Sequence, residues 1–430
     1  MMATKSIFFS ILLLLPCAFA GVVKAEEALT WQDCVREAQK NHPDLISAQE
    51  NIKQFNAAKS ITTSGILPQI SSSVGMSRAG TTTTTSGKTT KKTANSYSYG
   101  VSGSQLLFDG FKTRDKVMAA SENIKAAGHG YKFTSSEVRL RLRTAFVNLL
   151  KFQELLNITR EIYDIRKSNL DLITLRYQSG IEHKGALLTA QANLAQSEFE
   201  SAQAKRSLEV SQRELVKEIG RTKFAPLQIE GRFKVTDAAL DKPDFEAIAE
   251  KNPSVEKLIA QTKAAFFSLK AVRADFFPEI SAQAGASKSE ANWPPENNQW
   301  NAGLTLTFPI FEGGLRMAQV SQAEAVYRQA QEDERSARDG VIVALQQAWA
   351  SLQDAAENVD VRKKFLDAAE ERANIAESQY SLGLLQFDNW TIIEDDLVSA
   401  KKSFLNTQAN ALLAEANWIQ AKGETLEYAQ

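Results

Sequence analysis

Tyr380-Ser381-Leu382-Gly383 opens the stretch that decides the fold, which runs on through Phe387 and Trp390 to Trp418. After the turn its apolar residues fall on a comb with a seven-residue tooth: Trp390, Leu397, Phe404, Ala411, Trp418. A repeat of this period packs one helix against another along a seam. At an offset of 203 residues the same object stands earlier in the chain. Tyr177 and Gly180 replace Tyr380 and Gly383, and the comb becomes Leu187, Leu194, Ser201, Leu208, Leu215. One object met twice at one offset predicts a duplicated helical unit.

Working outward, the flanks repeat as well. Leu107-Phe108-Asp109-Gly110 matches Ile310-Phe311-Glu312-Gly313 at the same offset of 203. Further from the comb, Leu67-Pro68-Gln69-Ile70 matches Phe277-Pro278-Glu279-Ile280, and Pro43 matches Pro253, at 210. The offset changes by seven inside a hairpin loop, where chain length is cheapest to alter.

Between these anchors the period switches from helical to alternating. Ile70, Val74 and Met76 share one face, opposite Gln69, Ser71, Ser73 and Ser77. Tyr97, Tyr99, Val101 and Leu107 alternate with serines, and Thr81 to Thr93 between the two runs reads as an exposed loop. In the second copy Ile280, Ala282, Ala284 and Ala286 form one face, and Trp300, Ala302, Leu304, Leu306 and Phe308 another. Such alternation over about ten residues suits a tilted strand with one greasy and one wet face. Strands are expected at about 66–79, 95–108, 278–288 and 299–311.

Long helical tracts fill the rest. The first is expected from Thr30 to Thr63, capped by Thr30 with Asp33 and interrupted at His42-Pro43. Another runs from Lys112 to Tyr177, with a bend expected at Gly128 and Gly130. Its counterpart runs from Leu315 to Tyr380. The expected order is therefore a first repeat over 26–220 with its turn at 177–181, a connector over 221–243, a second repeat over 244–423 with its turn at 380–384, and a tail over 424–430.

Residues 1–25 read as a secretory signal: Lys5 precedes an apolar run from Ile7 to Leu15, too short to span a bilayer. Cleavage after Ala20 and cleavage after Ala25 both fit a small-x-small site. Removing the signal leaves Cys34 as the one thiol, so no internal disulfide is expected. The net charge of -1 gives no electrostatic reason for nucleic acid. His42, His129 and His183 are too scattered for metal-ligand spacing, and no phosphate-binding glycine loop or catalytic constellation is present. No cofactor and no enzyme activity are expected.

Four strands cannot close a barrel alone, and open edges are not tolerated in lipid. A barrel at one end of a helical bundle must then be shared between copies. With these residues in hand, the chain resembles the TolC family of outer-membrane channel proteins, over roughly Leu29 to Gly423. The markers are the proline near each repeat start, the proline before each first strand, the Phe-Asp/Glu-Gly after each second strand, and the Tyr-x-x-Gly turn.

The resemblance implies a mixed α and β homotrimer. Twelve strands would form a barrel in the cell outer membrane, and long helices would form a hollow α-barrel across the periplasm. It implies a passive duct for a tripartite efflux pump or a type I secretion system, partnered by a periplasmic adaptor and an inner-membrane pump. A periplasmic coiled-coil adaptor or scaffold without a pore is the alternative.

Candidate site residues follow. Tyr177, Gly180, Ile181, Tyr380, Gly383 and Leu384 are candidates for adaptor contact, and the glycines equally for helix capping. Asp388, Ile392 and Asp395 lie opposite the comb, so Asp388 and Asp395 are candidates for rings of negative charge at an aperture. The family carries acids six and nine positions after the turn glycine; here those positions are Asn389 and Ile392, and Leu385 stands where the family often has arginine. Tyr97, Tyr99 and Trp300 are expected at the lipid interface as a girdle. Lys88, Lys91 and Lys92 read as a solvated tip.

Overall fold

The computed structural model describes residues 28–235 and 242–428. The signal reading of 1–25 lies outside the described residues, as do 236–241 of the connector and 429–430 of the tail. The first half contains α1 (Trp31–Asn41), α2 (Pro43–Ser64), β1 (Gln69–Thr85), β2 (Lys88–Phe108), α3 (Lys112–Gln178) and α4 (Lys184–Glu218). The second contains α5 (Phe245–Glu250), α6 (Pro253–Arg273), β3 (Glu279–Glu290), β4 (Asn298–Thr307), α7 (Leu315–Ser381) and α8 (Phe387–Ala421). The halves match in length: α3 and α7 have 67 residues each, and α4 and α8 have 35. At 1.5 Å per residue the longer pair spans about 100 Å. No helix among the described residues is long and apolar enough to cross a membrane.

Thr30 caps α1 in a reciprocal capping box with Asp33. The first tract is two helices, because Pro43 starts α2 at its first position, where a missing N–H costs nothing. His42 caps that start: its Nδ1 accepts from the Asp44 amide at 3.1 Å. Asn252 does the same before Pro253, accepting from the Ser254 amide at 3.0 Å. Gly128 and Gly130, where a bend was expected, do not break α3, which runs as one helix through both. Two weak helix formers do not outweigh packing along a helix of this length.

The strands form one antiparallel sheet in the order β1-β2-β3-β4. Thr81 to Thr93 is not a loop. It continues the hairpin to a two-residue turn at Ser86-Gly87, both with positive φ, as a type I′ turn requires. Threonine is β-branched and favours strand, which a reading of that segment as merely polar overlooks. β4 in turn stops at Thr307, short of 311, because Pro309 has no amide to give the ladder. The register puts Ile70, Val74, Met76, Tyr97, Tyr99, Val101, Ala286, Trp300, Leu304 and Leu306 on one face. Val74 and Trp300 are 78% and 81% exposed within the chain, so that face has no cover of its own.

The helices pair as rods. α3 lies against α2 and α4, and α7 against α6 and α8. The end of α4 abuts the start of α2, so two short helices match one long one. Gly220, with φ 78°, seats this splice: a Cβ there would lie 2.5 Å from the Asn41 carbonyl oxygen. The second repeat makes the same splice, where Asn252 Nδ2 donates to the Ala421 carbonyl at 2.9 Å. Cys34, Val35, Leu142, Leu149, Leu215, Ile219 and Leu426 form the largest apolar cluster beside the first splice. In α7, Leu345, Leu352, Leu366, Ala373 and Tyr380 are buried at multiples of seven.

The first comb holds at Leu215, which is fully buried, and shifts earlier in the helix. In α4 the deepest row is Ala190, Ser197, Ala204 and Ser211, at 6% exposure or less, and the leucines 187, 194 and 208 flank it half-buried. Small residues let neighbouring backbones approach. The two serine hydroxyls donate to carbonyls three residues back, so they are satisfied when buried.

At the first splice, the Glu218 carboxylate lies 3.3 Å from His42 Nε2, 2.9 Å from Lys217 Nζ and 3.4 Å from Arg141 Nε. Burial alone would raise its pKa, but the bonds from His42 and Lys217 and the charges of Lys217 and Arg141 outweigh it and hold the group at about 2. A carboxylate held below its unfolded value stabilises above pH 4.5 and loses that contribution as pH falls toward 2. Glu218→Gln is expected to cost on the order of 2 kcal/mol at pH 7. Denaturant titration at stepped pH should show the wild-type advantage shrinking between pH 4.5 and 2.

Candidate functional site

The far ends of α3 and α7, where each long helix turns back into a short one, gather the turn and aperture candidates. Both turns are Schellman caps. The Gly180 amide donates to the Tyr177 carbonyl and the Ile181 amide to the Arg176 carbonyl, at 3.0 and 2.9 Å. Gly383 and Leu384 repeat this on Tyr380 and Gln379, at 3.0 and 2.8 Å. Gly180 and Gly383 have φ 75° and 76°, and a Cβ at either would meet nothing within 4 Å. Backbone conformation, not space, is what requires glycine there.

The two turns are not equivalent. Tyr177 is 38% exposed and Tyr380 is 1% exposed. Tyr380 stacks on Trp390 with ring centroids 4.3 Å apart and planes at 8°. Phe387 meets both rings edge-on, and Ile173, Ala186, Ala190 and Ala376 complete the cluster. The first repeat supplies the polar part. The Arg176 guanidinium sits 4.6 Å over the Tyr380 ring, and the Tyr380 hydroxyl donates to Glu182 Oε1 at 2.8 Å. Arg176 also reaches Glu182 at 3.7 Å and the Tyr380 carbonyl at 3.4 Å. Burial, then the hydrogen bond and negative charge of Glu182, raise the Tyr380 pKa, so the phenol stays a donor.

Of the aperture candidates, Asp388, Asn389 and Ile392 are exposed, and Ile392 is 57% open. Asp388 makes no ion pair among the described residues. Asp395 does: Arg166 Nη2, on a side chain only 8% exposed, lies 2.5 Å from its carboxylate. Asp395 therefore has a partner within the chain, which Asp388 lacks among the described residues. Glu394 is the acid that sequence reasoning missed. It sits four residues after Trp390, on the inward side of the helix, and is 8% exposed. Burial raises its pKa, and Glu377 and Asp395 add to this against the pull of Arg166. The spacing to Trp390 was the available signal. Leu382, Leu384 and Ile181 are 75%, 76% and 66% exposed, leaving an apolar rim at the turns.

At the sheet, Tyr97 and Tyr99 are joined by Trp293, which meets them edge-on at 6.2 and 6.3 Å. Trp293 comes from the β3–β4 loop, where no alternation marked it. Trp300 shares the face but stands apart from this cluster.

A family model described as outer membrane efflux protein matches residues 34–221 and 246–424, and the chain belongs to that family. It is 23% identical to the outer membrane efflux protein BepC of Brucella suis, over 98% of this chain and 91% of BepC. Among solved structures it is similar to the open-state MtrE outer membrane channel of Neisseria gonorrhoeae, with TM-score 0.80 at 19% identity, covering 92% of this chain and 89% of that one. It is also similar to the CmeC outer membrane channel of Campylobacter jejuni, with TM-score 0.77 at 19% identity over 91% and 85%. The fold and family are those of outer-membrane transport channels, and the cell outer membrane is where such a chain resides.

Trp390→Ala is expected to destabilise the chain by about 3 kcal/mol, because it removes the stacked ring from a filled cluster. Tyr177→Ala, at the half-exposed matching turn, should stay within about 0.5 kcal/mol. Denaturant unfolding of both variants checks the asymmetry.

Proposed function

We propose that this member of the outer membrane efflux protein family works as a passive homotrimeric duct. It would export small molecules or proteins delivered by a periplasmic adaptor and an inner-membrane pump, in a tripartite efflux or type I secretion system. The observation that carries this reading is the sheet: four strands with one uncovered apolar face and two open edges, mounted on helices about 100 Å long. Three copies supply twelve strands, within the known range of barrels. A periplasmic scaffold without a pore would leave that apolar face in water.

The turns at the other end are the proposed adaptor surface. Gly180 and Gly383 shape it, and Tyr177, Ile181 and Leu384 present apolar contact. Tyr380 drops out of the contact set because it is buried and serves to hold the two turns together. Asp388 is the proposed aperture charge, repeated in each copy, and such rings favour cations. Asp395 contributes less because Arg166 matches it.

Purified protein reconstituted in planar bilayers tests both parts. The expected result is stable single-channel conductance with a cation preference. Asp388→Asn should lower the cation-to-anion permeability ratio about twofold, with a much smaller effect in Asp395→Asn. No conductance from a correctly inserted oligomer would end the duct reading, and an unchanged ratio in Asp388→Asn would end its aperture role.

A further inference from the structure

The outward face of the sheet holds a groove of about 560 Å³. Two rows of the register build it. The upper row crosses Val74, Tyr99, Lys288 and Asn298, and the lower row crosses Val101, Ala286 and Trp300. Tyr99 and Trp300 are its walls and Ala286 its floor, which continues down β3 as Ala284 and Ala282. All of these come from one chain and lie on the face bearing Ile70, Leu304 and Leu306.

The groove has a charged head. Lys288 lies level with Tyr99, at the height that the Tyr97–Trp293–Tyr99 cluster marks as the edge of the apolar band. Lysine at such a boundary lays its stem on apolar surface and holds its ammonium in the polar layer. Lys288 makes no ion pair among the described residues. Glu290, two residues along the same face, already accepts from the Glu296 amide at 3.0 Å. Above this height the outward face adds Arg78 and Lys91 and no further carboxylate on β1 or β2. β1 and β2 turn at Ser86-Gly87, away from the helices, which puts this end of the sheet in the outer leaflet if the duct reading holds.

We propose that this groove binds a phosphorylated acyl-chain glycolipid of the outer leaflet, one per chain, with an acyl chain between Tyr99 and Trp300 and a phosphate on Lys288. The apolar trough matches the chain, and the unpaired ammonium matches the phosphate. The site rests on the duct reading for its orientation in the membrane, but needs no second copy to complete it.

Native mass spectrometry of the full-length, delipidated protein in mild detergent, titrated with diphosphoryl lipid A, tests this. The wild type is expected to retain up to one lipid A per chain. Lys288→Gln should need at least fivefold more lipid for equal occupancy, and Lys288→Arg should restore binding. Diacylglycerol, which lacks phosphate, should bind weakly and equally to both. Equal lipid A occupancy in an intact oligomer of wild type and Lys288→Gln would overturn the site alone. Preferential retention of phosphatidylglycerol over lipid A would overturn the choice of glycolipid. A monomer that retains no lipid in either protein would overturn the site together with the duct reading.

Discussion

A β-sheet in hydrocarbon must have every backbone N–H and C=O paired, because no water is available to satisfy them. This chain folds four strands into one sheet and stops, leaving an edge at β1 and another at β4. Its outward face is apolar and uncovered. In water that surface promotes aggregation, and in lipid the edges are each unsatisfied by several kcal/mol per group. In the proposed barrel, neighbouring copies would pair the edges and lipid would cover the apolar face. The matched rods beneath it, 67 residues each in α3 and α7, would serve as staves in that arrangement.

The duplication sets the frame, but function breaks its symmetry. Both repeats splice two short helices end to end beside one long helix, using a glycine and a polar cap at each joint. The joints differ in chemistry: Asn252 makes neutral hydrogen bonds, while His42 meets the ionised Glu218. At the turns the difference is larger. Tyr380 is locked by Trp390 on its own repeat and by Arg176 and Glu182 on the other, while Tyr177 faces outward. One turn is thereby tied to the other within a chain. That leaves the exposed rim of Ile181, Leu382 and Leu384 for contacts outside it.

Much of this was legible in the sequence. The paired combs, the Tyr-x-x-Gly turns and the alternating strands carry strong local periods, and a period survives without knowledge of tertiary contacts. What failed did so for physical reasons. The threonine segment looked like a loop because polarity and strand propensity point in different directions there. The α4 comb was read on its leucines, but close helix approach selects alanine and serine for the deepest row. Arg166, the partner of Asp395, lies 229 residues away, beyond the reach of any local period. Trp293 and Lys288 gained meaning only when the register placed them beside Tyr99.

Oligomeric mass in detergent tests the central claim most directly. Sedimentation equilibrium, with the detergent density-matched, should give a single species of three chains, converting to one only on heating. A monodisperse single chain that keeps its strand content would show that the sheet satisfies its own edges, and would contradict the account.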